Sequence, residues 1–272
     1  MRRVVCVVEY KGTGYNGWQR QKNTGSTFQE ILERTLSRIT GDRVTIEASS
    51  RTDAGVHAVG QVVAFSVSSQ LSLSVLKRAL NACLPQEIRI RNLLEAPQDF
   101  HPRRGVKYKH YVYLLALVHS VPPFWNDFVF CVRKRVFDLA LLQEAANLLV
   151  GYHDFTSFSA AGGDDYFCWR TIFSFKVEEK SKGLLRFDVV GDGFLYKMVR
   201  IMVGEIWRVG TGEKSLAALQ EMLNKPSRVY HRFCMPPQGL YLVEVGYEAF
   251  NPYQGLVLRE GLAPFPLWVE EH

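Results

Sequence analysis

Two kinds of apolar spacing alternate along this chain in a fixed order, and that order limits the folds open to it. Residues 4–10 form a short apolar run of strand character. Phe28, Ile31, Leu32, Leu36 and Ile39 then recur at helical spacing, with Thr27 or Ser26 as N-cap and Gly41 just past the end. Residues 44–48 and 62–67 read as strands, 73–84 as a helix stopped by Pro85, and 88–94 as a strand. Residues 3–96 therefore read β-α-β-β-α-β, the ferredoxin-like split unit. The order then recurs: a strand at 106–115, a helix at 138–150, strands at 169–177 and 184–190, a helix at 194–209 with a shorter one at 215–223, and a closing strand at 239–245. Element order repeats; residue identity does not. The expected architecture is α+β, two ferredoxin-like or RRM-like halves at 1–104 and 105–248. They are expected to make one continuous mixed, mainly antiparallel sheet with helices on one face, and a sheet face with a cleft free for a ligand. Residues 249–272 form a proline-rich aromatic tail, which the sequence leaves either packed or disordered.

Charge and cysteine usage narrow the class. The 272 residues carry a formal net charge of +6, which favours an anionic partner, nucleic acid first. No apolar run reaches the roughly 18 residues of a membrane span. The basic start Met1-Arg2-Arg3 leads into a short strand that meets Glu9, with no small-residue cleavage site. Cys6, Cys83, Cys131, Cys168 and Cys234 are odd in number and contain no Cys-x-x-Cys pair. That supports neither a zinc site nor a redox pair. Reduced, mostly buried thiols in a cytoplasmic protein are the expectation.

One stretch concentrates chemistry: Ser49-Ser50-Arg51-Thr52-Asp53-Ala54-Gly55-Val56-His57-Ala58-Val59-Gly60-Gln61. It reads as a loop between two strands, with a carboxylate and an arginine two residues before it. A loop above a rigid sheet commonly presents a reactive group, although Asp-x-Gly alone is more often just a turn. Upstream, residues 11–17 hold three glycines that allow close approach to a ligand backbone, but the ending of a phosphate loop is missing. Trp18, Gln19, Arg20 and Gln21 follow; they suit nucleic-acid contact about as well as a core tryptophan. Downstream, Arg103, Arg104, Lys107 and Lys109 crowd against Tyr108, His110, Tyr111 and Tyr113. Cations that track phosphate beside rings that stack on bases make a single-stranded RNA platform.

The string Arg51 to Ala58 resembles the catalytic block of the bacterial tRNA pseudouridine synthase A family. Further ordered blocks resemble the same family: Tyr10 to Gln21, Asp99-Phe100-His101, Lys109 to Tyr113, His153 to Phe158, Trp169 to Ile172, Phe194 to Arg200 and Pro237 to Leu242. Two departures stand out. Ser50 replaces the usual glycine, which bears on loop geometry because serine resists positive φ, and Met235-Pro236-Pro237 replaces Ala-Pro-Ala. The resemblance implies the pseudouridine synthase fold and isomerisation of uridine to pseudouridine at positions 38, 39 and 40 of the tRNA anticodon stem-loop. It further implies no cofactor, no metal and a homodimer in which one tRNA crosses both subunits.

The resemblance also assigns roles. Asp53 is the catalytic carboxylate, acting at C6 or C1′ or as a base at C2′. Arg51 assists base flipping, Tyr111 stacks on the flipped uracil, and Arg200 pairs with the carboxylate. Arg20, Lys107 and Lys109 complete the RNA-binding set. Without the resemblance Tyr111 reads equally as a core ring, and Arg200 as a cation needing a buried partner or a helix edge. Three rivals remain: a relative acting on other RNA sites, a non-catalytic RNA-binding protein on the same scaffold, and a metal-dependent hydrolase using Asp53 and His57. For the last, no third ligand is suitably spaced.

Overall fold

The computed structural model describes residues 1–117, 123–133, 136–162, 167–181, 183–248 and 250–256. These divide into two compact units, one built from Met1–Lys107 with the chain from Glu244, the other from Tyr108–Val243.

The first unit runs β1 (Arg2–Tyr10), α1 (Phe28–Thr40), β2 (Glu47–Ala48), β3 (His57–Val67), α2 (Leu73–Cys83) and β4 (Ile88–Glu95), the expected order. β1 lies between β3 and β4, antiparallel to both, with Val5 opposite Ala64 and Leu94. Residues 4–8 are all buried, so both faces of β1 are covered there. Helix α1 buries Phe28, Ile31, Leu32 and Leu36 and ends at Gly41, whose φ of 75° gives the left-handed cap that glycine adopts without steric cost. Thr27 does occupy the N-cap, but its hydroxyl makes no cap bond and is buried without a partner. Ser72 does cap α2, accepting from Val75 N–H. β2 is shorter than the run 44–48 suggests: Val44 and Ile46 are buried outside regular structure. β3 is longer, beginning at His57 rather than 62, because a bulge between Val8 and Tyr10 lets Tyr10 pair with Ala58.

The second unit contains β5 (Val106–Ala116, from Tyr108 onward), β6 (Phe130–Cys131), α3 (Leu139–Leu148), β7 (Gly151–Asp154), β8 (Trp169–Ser181), β9 (Leu184–Gly191), α4 (Met198–Gly210) and α5 (Leu216–Asn224). β5, β9, β8 and β7 neighbour one another in that order and pair antiparallel, while β6 pairs parallel with β5. β10 (Leu240–Tyr247) gives its first four residues to the second unit and its last four to the first. The result is α+β, with ten strands and five helices among the described residues. β7 was not expected: its four residues include His153 and Asp154 and carry no apolar alternation. Helix α4 starts four residues later than its apolar run, because Lys197 sits at φ 59° in the left-handed region. Its interior carboxylate, Glu205, is fully buried but paired with Lys214 and Arg208, and it accepts from Phe233 N–H at 2.7 Å. Residues 118–122 and 134–135 of the irregular stretch, 163–165 of the glycine-rich loop and most of the tail lie outside the described residues. Cys6 and Cys168 are buried, Cys131 and Cys234 half-buried and Cys83 exposed, so burial of the thiols is less general than expected. No described helix is long and apolar enough to cross a membrane.

Candidate active site

The loop joining β2 to β3 is held from several sides. It leaves the sheet at Ser49, whose N–H still bonds Val62 C=O at 2.9 Å. Next, the Gln61 side chain on β3 takes over. Its amide oxygen accepts from Ser49 Oγ at 2.8 Å and from Ser50 N–H at 3.3 Å. The amide nitrogen donates to Ser50 C=O at 2.7 Å and to Tyr10 Oη at 3.4 Å. Tyr10 Oη lies 2.7 Å from Thr52 Oγ1, and Thr52 C=O accepts from Trp18 N–H at 3.0 Å. The turn closes with Val56 N–H on Asp53 C=O at 3.2 Å, over Gly55 at φ 79°.

Two of the three glycines in the loop at 11–17, Gly12 and Gly17, pack against this turn, while Gly14 faces open space. A Cβ on Gly12 would overlap the Val56 carbonyl, and one on Gly17 would lie 2.8 Å from Thr52 O and 2.9 Å from Ala54 N. Only glycine lets the two backbones approach so closely. Gly12 N–H also donates to His57 Nδ1 at 3.0 Å, which engages the histidine that the hydrolase reading needs as a ligand. Among the described residues no group of three His, Cys, Asp or Glu side chains could hold a metal ion. Ser50 is not at positive φ, since Lys197 is the only such non-glycine residue described. Serine in place of the family's glycine therefore does not strain the loop. With Ser49, Ser50, Thr52, Val56 and His57 buried, Asp53 is half-buried and Arg51 exposed.

The remaining sequence candidates fall in different settings. Trp18, 2% exposed, is a core ring near Tyr10. Arg20 is ion-paired with the buried carboxylate of Glu33. Lys107 pairs with Glu248 at 2.6 Å on the surface. In the second unit, strand alternation puts Lys109 on the same side of β5 as Tyr111. Tyr111 is 7% exposed, its ring set edge-on to Phe194 at 5.1 Å between centroids. Arg200 lies in the first turn of α4, half-buried, with Nε donating to Met235 C=O at 2.6 Å, while Met235 N–H bonds Arg200 C=O at 3.1 Å. Tyr113 Oη donates to the next carbonyl, Pro236, at 2.8 Å. Burial raises the Tyr113 phenol pKa well above its ordinary value, with Arg200 opposing. The departure at Met235 is thus buried, and the Met235-Pro236 backbone, half-buried at Pro236, is held by Arg200 and Tyr113. Sequence reasoning gave no role to Gln61, Tyr10 or Phe194. For Gln61 a signal existed: an amide at the head of the apolar run that opens at Val62.

The family model for tRNA pseudouridine synthase matches residues 6–103 and 145–248. A tRNA pseudouridine synthase A of Geotalea uraniireducens is 40% identical over 247 residues, 91% of this chain and all of that one. The same enzyme of Acetivibrio thermocellus is 38% identical over the same shares. The chain belongs to the tRNA pseudouridine synthase A family. It is therefore an isomerase that modifies tRNA, and its substrate is RNA. A further relative, from Syntrophomonas wolfei, is 38% identical over 91% of this chain and 98% of its own length. Among solved structures, an archaeal box H/ACA sRNP Nop10-Cbf5 complex is similar at 13% identity and a TM-score of 0.34, over 75% of this chain and 43% of that one. That likeness is too distant to carry an argument.

Proposed function

We propose that this synthase isomerises uridine to pseudouridine at positions 38, 39 and 40 of the tRNA anticodon stem-loop, with Asp53 as the catalytic carboxylate. The observation that carries the reading is the turn itself: its backbone is bonded on both sides and most of its side chains are buried, while Asp53 remains half-buried beside an exposed Arg51. A carboxylate on a fixed loop can attack or abstract without first being ordered. The N1–C1′ bond breaks, uracil turns, C5 bonds to C1′, the C5 proton leaves to water, and N1 takes up a proton in its place. Electrons balance with no oxidant or reductant.

The other roles follow the resemblance. Arg51 assists flipping of the base, which costs a few kcal/mol of lost stacking. Tyr111, fixed edge-on by Phe194, stacks on the uracil. Arg200 supplies the cation for the carboxylate, and Arg20, Lys107 and Lys109 contact phosphate. The enzyme works in the cytoplasm as a homodimer, doubling a charge of +6 per chain and strengthening attraction for tRNA. The test is to map pseudouridine in unmodified tRNA transcripts after incubation with the enzyme. Conversion confined to positions 38–40 is expected; conversion elsewhere in the tRNA, or in other RNAs alone, would overturn the site assignment.

A further inference from the structure

Gln61 is fully buried and lies on β3, at the end of the motif string and with no role so far. The β2–β3 ladder stops at Ala48 opposite Val63, with one further backbone bond from Ser49 to Val62. Beyond that point the chain has left the sheet. Gln61 then does for Ser50 what a partner strand would, accepting from its N–H at 3.3 Å and donating to its C=O at 2.7 Å. The remaining acceptor site takes Ser49 Oγ at 2.8 Å, and the remaining N–H reaches Tyr10 Oη at 3.4 Å. All the bonds of a primary amide are in use. The pattern also fixes which way the amide points, since a flipped one would set its NH2 against Ser50 N–H.

These bonds act where the loop geometry is decided. Fixing both polar groups of Ser50 holds the peptides on either side of it, and the second of those peptides leads into Arg51. Through Tyr10, the same amide reaches Thr52 Oγ1, the residue before Asp53. Gln61 is thus one of the groups that set the direction in which Arg51 and Asp53 leave the sheet, beside the backbone bonds of Trp18 to Thr52 and of Val56 to Asp53. A misplacement of about 1 Å can slow a reaction by roughly a hundredfold, and sites are held to their geometry by such supporting bonds.

We propose that Gln61 is a positioning residue for Asp53, acting on the chemical step rather than on RNA binding. This rests on Asp53 being the catalytic carboxylate. The experiment measures single-turnover tritium release from tRNA labelled at uracil C5, with RNA affinity and thermal unfolding measured separately. It uses wild type, Asp53→Asn, Gln61→Leu, Gln61→Glu and Tyr10→Phe. Gln61→Leu keeps the volume and removes every bond, so the rate should fall at least tenfold while RNA affinity stays within about twofold. Tyr10→Phe leaves both Ser50 bonds intact and should lose less. Gln61→Glu supplies the distinguishing readout. Its neutral carboxyl reproduces one donor and one acceptor toward Ser50; its ionised form sets an acceptor against Ser50 C=O. Burial raises a carboxyl pKa, so the ratio of mutant to wild-type rate should climb as pH falls from 8 to 6. This also keeps the test sound if Gln61→Leu does not fold. A full rate for folded Gln61→Leu, a loss confined to RNA affinity, or a ratio flat in pH would each overturn the proposal. An inactive Asp53→Asn beside a fully active Gln61→Leu would overturn this inference alone. An active Asp53→Asn would overturn the assignment of Asp53 and this inference with it.

Discussion

Ser50 carries a buried hydroxyl that no other described group meets, one residue before Arg51. Leaving such a group unpaired costs about 1–3 kcal/mol, and because Ser50 is not at positive φ, alanine fits its backbone. Ser50→Ala should therefore stabilise the protein by about 1 kcal/mol, raising the denaturation midpoint. Ser50→Gly should gain less, since glycine loses about 0.5–1 kcal/mol more chain entropy on folding. Chemical denaturation of the three proteins checks the order. At this scale the sequence was most legible in one string, Arg51 to Ala58, which resembles the family to which the chain belongs. Gln61 was visible only as an amide beside an apolar run; its work depends on how far β2 and β3 stay paired, which no local pattern encodes. Trp18 was ambiguous for the same reason; only packing against Tyr10 makes it core.

Between strands, the pairing of β5 with β9 brings His110 and Asp188 together at 2.9 Å, and Arg186 holds the same carboxylate through Nε at 2.6 Å and Nη2 at 2.7 Å. Burial would raise the Asp188 pKa, but the hydrogen bonds from His110 and Arg186 outweigh it and leave it below the ordinary carboxylate value. A carboxyl depressed in the folded state stabilises above its unfolded pKa, about 3.9, and loses that stabilisation as pH falls through the folded value. Asp188→Asn should thus be less stable than wild type by roughly 1–3 kcal/mol at neutral pH, with the gap closing below pH 4. Urea unfolding at stepped pH measures this; a gap independent of pH would contradict it. Strand and helix order was readable because spacing of two and of about 3.6 persists over long runs. Boundaries were not. The start of β3 depends on a bulge in β1, the start of α4 on one left-handed lysine, and β7 is too short and polar to show a period.

For the molecule as a whole, the sequence order of elements contained the β-α-β-β-α-β plan of the first unit and the main elements of the second, but not the added strands β6 and β7, nor what the tail does. Its described part packs. Tyr253 is 6% exposed; its phenol donates to Gly60 C=O at 2.8 Å and accepts from Val245 N–H at 2.8 Å, while Asn92 holds the carbonyls of Pro252 and Gln254. The family match ends at 248, so Pro252, Tyr253 and Gln254 lie beyond it while Gly60, Asn92 and Val245 lie within it. Tyr253→Phe leaves a backbone donor and acceptor unpaired and should destabilise by about 1–3 kcal/mol, read as a lowered melting temperature. In the proposed reaction Asp53 is the group that carries out the isomerisation. The most direct test is tritium release from tRNA labelled at uracil C5, with wild type and Asp53→Asn compared at saturating RNA and with both shown to bind it. Release by wild type and none by Asp53→Asn is the expected result. Equal release by both would contradict a catalytic role for Asp53.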